Sequence, residues 1–129
     1  MSEIFFPDFD EILLIHSEII KKTGGSEGLR DAGGLESALK AAENRLFYET
    51  DDLAILGATY AYHLSQAHAF VDGNKRIAAV VAELFLKING AKLSATNDEI
   101  VELFLDLAAS RLSREDVEEK FAGWLVKAE

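Results

Sequence analysis

The chain has 129 residues, 49% of them hydrophobic and 28% charged, and a formal net charge of −10. This length predicts one domain, residues 1–129, that buries its own core. The acidity argues against direct nucleic-acid binding, because phosphate contacts need a basic face. The chain has no cysteine, which excludes disulfides and thiolate metal sites. With no signal peptide and no apolar run near the roughly 18 residues of a membrane span, we expect a cytoplasmic protein without membrane association.

Capping residues and helical periodicity predict a chain that is almost entirely α-helical. Glu3–Phe6 is expected to be a short strand or an extended arm, and Asp8 caps a first helix that ends at Thr23–Gly25. Five more helices are predicted from apolar spacing and caps: Leu35–Leu46, a helix from Asp51–Asp52 to Ala67, Asn74–Ile88, and two helices capped by Thr96 and Ser113.

The predicted fold class is a compact, single-domain, all-α bundle of about six helices. The third helix is rich in alanine and apolar around much of its circumference, so we expect it to be central and buried. The stretch with the most candidate functional side chains lies in the predicted loop between the third and fourth helices and at the start of the fourth.

A glycine-rich segment separates the first two helices. The stretch from Thr23 to Gly34 holds five glycines together with Arg30 and Asp31. Glycine adopts backbone conformations that other residues avoid, so the segment is expected to be a loop. Its composition leaves two interpretations open: a simple connector, or a mobile flap over a binding site.

Residues 68–76, which read HAFVDGNKR, place two cations where the fourth helix is expected to begin. Backbone N–H groups at a helix N-terminus are unpaired and bind anions. Gly73 allows a tight turn and close approach of a ligand, and Asn74 can donate from its side chain and cap the turn. Lys75 and Arg76 add positive charge for phosphate oxygens. These four residues therefore form a candidate phosphate-binding site.

Two further side chains in the same stretch point to group transfer. Asp72 lies among the phosphate-binding candidates, and a carboxylate beside phosphates is the usual protein ligand of Mg²⁺. His68 ends the preceding helix, and an imidazole can act as a general base toward a hydroxyl near neutral pH. A base, a metal carboxylate and a phosphate site together meet the requirements for moving part of a nucleotide onto a hydroxyl.

Each of these features also has an ordinary structural explanation when it is taken alone. A single histidine at a helix end is more often structural than catalytic, Asp-Gly is a common turn, and Lys-Arg often forms a solvated face. The other histidines, His16 and His63, have no comparable sequence neighbours and are interpreted as structural. Phe70 and Trp124 are expected in the core, where Phe70 would anchor the loop.

The string HAFVDGNKR resembles the signature of the Fic/Doc family, H-P-F-x-D/E-G-N-G-R, and most of all its Doc (death-on-curing) toxin type. In the Doc type a lysine replaces the last glycine of the signature, and Lys75 stands at that position. The resemblance continues in Gly28–Asp31, Gly34–Leu39, Phe85–Leu86 and Asn89–Gly90, and so covers most of the chain.

This resemblance implies an all-α fold and the toxin of a type II toxin–antitoxin module. The Doc type is a protein kinase that transfers the γ-phosphate of ATP to a threonine of elongation factor Tu and so halts translation. By position, His68 would be the base, Asp72 would hold Mg²⁺, and Gly73–Arg76 would bind the ATP phosphates. The segment around Arg30 would be the flap that positions the target. The implied partners are elongation factor Tu and a Phd-like antitoxin with a disordered segment that folds on binding.

Two alternatives to a kinase stay open. Fic proteins of another type transfer AMP from ATP to a protein hydroxyl. Lys75 argues against that reaction, as does Ala79, which stands where many of those proteins have a second arginine. The other alternative is an inactive binding module, and the intact base, metal and phosphate candidates argue against it. A further departure is Ala69, which replaces a proline and removes rigidity but no chemical group.

Overall fold

The all-α prediction is confirmed by the computed structural model, which describes residues 3–128. Within that range, six helices and two short strands follow one another along the chain. Their bounds are α1 Phe9–Thr23, α2 Ala32–Tyr48, α3 Leu53–Ala67, α4 Asn74–Ile88, β1 Ala91–Leu93, α5 Asn97–Ala108, α6 Arg114–Trp124 and β2 Leu125–Lys127. None of the described helices combines the length and apolar character needed to cross a membrane.

The predicted capping residues mark where the helices begin. Asp8, Thr96 and Ser113 each accept a hydrogen bond from the backbone N–H of the third helical residue, and each of these capping boxes is complete. Asp52 caps α3 by accepting from the N–H of Ala54 at 2.9 Å. These bonds pair donors that the first helical turn cannot pair within the helix. The caps therefore fix the helix starts locally.

Removal of one cap tests this contribution to stability. Thr96→Ala removes the hydroxyl that accepts from the N–H of Glu99 at 3.2 Å. We expect the free energy of unfolding to fall by about 1 kcal/mol as a result. Thr96→Ser keeps a hydroxyl at this position and should stay within about 0.5 kcal/mol of the wild type. Urea unfolding measures both variants, and equal midpoints would show that this cap contributes nothing to the fold.

The predicted central position of the third helix is confirmed. α3 packs against α2, α4, α5 and α6, and nine of its 15 residues are buried, which leaves little of its surface to solvent. Gly57 lets α3 and α4 approach closely, because a Cβ there would lie 3.0 Å from Cδ2 of Leu86. The core therefore fixes the two helices between which residues 68–73 lie.

The structure adds one strand pair to the sequence prediction and decides between the two alternatives for the N-terminal stretch. β1 and β2 pair antiparallel, with Lys92 opposite Val126, although no strand pair is predicted there. Strands of three residues are too short for a two-residue period to stand out between helices. The N-terminal stretch is an arm: the N–H of Phe5 donates to Oδ1 of Asn89, and Nδ2 of Asn89 donates to the carbonyl of Phe5, both at 2.8 Å.

The glycine-rich loop is shorter than predicted. α2 runs over Ala32–Tyr48, beyond the predicted helix at both ends, so the loop spans only residues 24–31. Asp31 caps α2 by accepting from the N–H of Gly34 at 2.8 Å. This cap offsets part of the roughly 1 kcal/mol that each helical glycine costs. Gly33 and Gly34 can therefore occupy the first turn.

Candidate active site

The signature loop, residues 68–73, joins α3 to α4. It begins at His68, which ends α3 with its backbone in the left-handed region, at φ 47° and ψ 43°. The imidazole of His68 is exposed, whereas Phe70 is only 2% exposed and anchors the loop in the core as predicted. The buried Phe70 thus anchors a loop whose imidazole is exposed to solvent. A proton acceptor must be accessible in this way to an incoming hydroxyl.

The start of α4 is open in the sense that no side chain caps its first backbone N–H groups. Gly73 is the N-cap, with φ 77°, and provides no side-chain cap. A Cβ at Gly73 would lie 3.1 Å from Cδ1 of Ile20 and 3.5 Å from Nε2 of His16. One side of the turn therefore packs against α1, while the first backbone N–H groups of α4, beginning with that of Asn74, can face an anion. The exposed side chain of Lys75 adds a full positive charge beside them.

The side chain of Asn74 donates and caps the turn of the signature loop, as predicted, and does not cap α4 itself. Asn74 is the first residue of α4, and its side chain reaches back across the signature loop. Its Oδ1 accepts from the N–H of Phe70 at 3.0 Å, and its Nδ2 donates to the carbonyl of Phe70 at 2.9 Å. These bonds pair backbone groups that would otherwise be partly buried without partners. A phosphate at this place would meet the backbone N–H of Asn74, because its side-chain amide is already engaged.

The glycine-rich loop lies directly against the signature loop. The N–H of Val71 donates to the carbonyl of Gly28 at 3.0 Å. The N–H groups of Arg30 and Asp31 both donate to the carbonyl of Ala69, at 2.7 and 3.0 Å. This pairing is an antiparallel bridge between the two loops. Residues 24–31 therefore do more than connect two helices, because they support the signature loop. Their interpretation as a mobile flap over a binding site stays a prediction.

The side chain of Arg30 also supports His68. Its Nη2 donates to the carbonyl of His68 at 2.7 Å. A non-glycine residue in the left-handed region is strained and persists only where its surroundings hold it. The hydrogen bond from Arg30 is one of the contacts that hold His68 in this conformation. Sequence reasoning connected the Arg30 region only with target positioning and missed this contact.

Asp72 combines an exposed carboxylate with a backbone carbonyl that is hydrogen-bonded to the side chain of His16 on α1. Its Oδ2 accepts from the N–H of Ser26 at 3.2 Å. Mg²⁺ keeps several waters and binds to one or two carboxylates together with substrate phosphates. One exposed carboxylate beside an open helix start fits that requirement, and Asp72 is the residue that would hold the ion. Within residues 3–128, no group of three metal-ligating side chains forms a site by itself.

Arg76 is directed toward the end of α1. Its Nη1 donates to the hydroxyl of Thr23 and, at 3.3 Å, to the carbonyl of Gly24. A guanidinium has five N–H donors, so these contacts leave others for a phosphate. The contact between Arg76 and phosphate stays a prediction, as do the phosphate contacts of Gly73 and Lys75.

The two remaining histidines have different surroundings. His63 is half-buried on α3, where burial lowers its pKa. His16 is 3% exposed on α1. Its ring stacks on Phe70 with the centroids 3.8 Å apart, and its Nε2 lies 2.7 Å from the carbonyl oxygen of Asp72. The burial of His16 agrees with the structural role predicted for it, but no local pattern predicts its contact with Asp72.

These features define a helical protein in which an exposed histidine and an exposed aspartate share the loop that leads into α4, whose N-cap is a glycine. Residues 6–86 match the family model described as Fic/DOC family. The chain is 32% identical over 105 residues to Protein kinase doc of Escherichia phage P1, with 81% of this chain and 82% of that protein covered. It is also 32% identical over 111 residues to Toxin Doc of Mycolicibacterium smegmatis, with 82% and 85% covered. This chain therefore belongs to the Fic/DOC family, as its signature predicts.

Proposed function

We propose that this chain is a Doc-type toxin that acts as a protein kinase, transferring the γ-phosphate of ATP to a hydroxyl of elongation factor Tu. One observation carries the proposal. The exposed imidazole of His68, the exposed carboxylate of Asp72 and the open start of α4 all lie on one short loop. The names of the two relatives, a protein kinase and a toxin, support it.

In this proposal each part of the site has one task. His68 takes the proton of the target hydroxyl while the hydroxyl oxygen bonds to the γ-phosphorus. The bond between that phosphorus and the oxygen bridging to the β-phosphate breaks, and ADP leaves with the electron pair. The N–H groups at the start of α4, with Lys75 and Arg76, bind the phosphates. Asp72 holds Mg²⁺, which neutralises phosphate charge.

Lys75 is the residue that favours transfer of the γ-phosphate over transfer of AMP. A glycine at its position would leave room for the α- and β-phosphates against the helix start. The long cationic side chain of Lys75 fills that room, so the α- and β-phosphates cannot bind there in the same way, and its charge attracts a phosphate in another position. We therefore expect ATP to bind with its γ-phosphate nearest His68. Fic-type AMP transfer to a protein hydroxyl is the alternative function, and Ala79, which provides no second cation, speaks against it.

The proposal includes a regulating partner. Restraint of such a toxin requires a cognate antitoxin, which we expect to be Phd-like, with a disordered segment that folds on binding. Toxin, antitoxin and target would meet in the cytoplasm, where elongation factor Tu, ATP and Mg²⁺ occur together.

Label transfer tests the proposed reaction. The purified protein is incubated with Mg²⁺, elongation factor Tu and ATP labelled at either the α- or the γ-phosphorus, beside a Lys75→Gly variant. We expect only the γ label on elongation factor Tu, and less of it with the variant. Transfer of the α label instead would overturn the kinase assignment in favour of an AMP transferase.

Calorimetry with ATP and Mg²⁺ distinguishes the remaining outcomes. Binding of ATP without any label transfer would overturn elongation factor Tu as the target. Neither binding nor transfer would overturn the enzymatic role and favour a binding module.

A further inference from the structure

We infer that His16, which lies on α1 outside the signature, is a positioning residue for the site. Its Nε2–H group holds the carbonyl of Asp72 and thereby sets the turn that carries the metal-binding carboxylate into α4. Only the catalytic consequence of this contact rests on the proposed function, because the contact itself is a property of the fold.

The contact is a hydrogen bond of defined polarity. Nε2 of His16 and the carbonyl oxygen of Asp72 are 2.7 Å apart. A carbonyl oxygen only accepts, so Nε2 carries the proton. Because His16 is 3% exposed, the donor comes from the packed interior and not from the solvent side. Removal of the donor would leave a partly buried carbonyl without this partner.

The ring of His16 is itself held in place by the loop that it supports. It stacks on Phe70, with an interplanar angle of 13°. At the other end of the loop, Gly73 lies so close to α1 that an added Cβ would be 3.5 Å from Nε2 of His16 and 3.1 Å from Cδ1 of Ile20. His16 therefore connects the buried anchor of the signature loop to the turn at its end.

The position of this turn decides the geometry of the site. Asp72 directly precedes the N-cap Gly73, so the backbone that carries its carboxylate also leads into the phosphate-binding start of α4. A displacement of about 1 Å at a reacting centre can lower a rate by about a hundredfold. Loss of the His16 bond is therefore expected to lower transfer by about tenfold to a hundredfold.

Two substitutions separate this hydrogen bond from packing. His16→Phe keeps an aromatic ring to stack on Phe70 but removes the donor. His16→Gln removes the ring but keeps an N–H donor at the end of a side chain of similar reach. If the bond positions the site, transfer falls in H16F and recovers in H16Q, although H16F should have the higher melting temperature. His63→Phe on α3 controls for the loss of a histidine and should match the wild type.

An NMR measurement without substrate decides the inference independently of the proposed function. The carbonyl carbon of Asp72 and the amide nitrogen of Gly73 belong to one peptide unit, so both shifts report the hydrogen bond that the Asp72 carbonyl oxygen accepts from Nε2 of His16. We expect both shifts to move in H16F and to return toward wild-type values in H16Q. In the wild type we expect a protonated, pyrrole-type Nε2.

Two results would overturn the inference. One is an H16F spectrum with both shifts unchanged, and the other is activity that follows melting temperature across the two variants. Shifts as expected, with no transfer by the wild type, would support the bond and count against the proposed function alone.

Discussion

His68→Asn is expected to lower transfer of the γ-phosphate by about 10²- to 10⁴-fold while ATP binding stays nearly unchanged. Asparagine suits this position because His68 has φ 47° and ψ 43°, and asparagine tolerates the left-handed region better than other non-glycine residues. The variant therefore removes the base and keeps the backbone. Initial rates with γ-labelled ATP and elongation factor Tu measure the loss, and calorimetry measures ATP affinity.

A second variant, His68→Ala, separates the base from the backbone. Alanine also removes the imidazole, but in the left-handed region it is strained by roughly 1–2 kcal/mol. The two variants should therefore lose activity equally, while the alanine variant melts at the lower temperature. A rate for H68N close to that of the wild type would contradict the role of His68 as the base. Loss of ATP binding in H68N would instead assign His68 to nucleotide binding.

The features that could be predicted from the sequence are set by neighbouring residues. A capping box lies within a single helical turn, so Asp8, Thr96 and Ser113 identified helix starts without any tertiary information. The bounds of α4 follow in the same way, from Gly73 before the helix and Asn89 after it. The candidate base and carboxylate could be recognised together because they share one loop.

The contacts that support the site join residues far apart in sequence, so local patterns do not reveal them. Arg30 and His68 are 38 positions apart, and His16 and Asp72 are 56 apart. His16 did give a weak signal, because it shares a buried helix face with Ile20, and a polar side chain on such a face needs a partner. Which partner it finds depends on how α1 docks against α4, and that is decided by tertiary packing.

Side chains and backbone alternate in their support of the signature loop. The side chains of Arg30, Asn74 and His16 hold positions 68, 70 and 72. The backbone of the glycine-rich loop holds positions 69 and 71. Every position from 68 to 72 is therefore bonded from outside the loop. Phosphoryl transfer depends on position and electrostatics more than on covalent chemistry by the protein, so such preorganisation suits the proposed reaction.

Asp72→Asn is expected to lower γ-phosphate transfer by about a hundredfold or more and to weaken the effect of Mg²⁺ on ATP binding. Asparagine has the same shape and can still accept the bond that Ser26 donates to Oδ2 at 3.2 Å. It lacks the negative charge that attracts a divalent cation. The loop should therefore keep its geometry while its affinity for the metal falls. Transfer and ATP affinity are measured over a series of Mg²⁺ concentrations.

The Mg²⁺ dependence distinguishes a metal ligand from a residue that only shapes the loop. If Asp72 binds the ion, a high Mg²⁺ concentration restores part of the lost rate, because the occupancy of a low-affinity site rises with the concentration of the ion. If Asp72 acts only through the loop, the loss is equal at every Mg²⁺ concentration and the melting temperature falls with it. Asp51→Asn makes the same charge change at an exposed position before α3 and serves as the control. Equal rates in D72N and D51N would contradict any role of Asp72 in the site, because charge alone would then account for both.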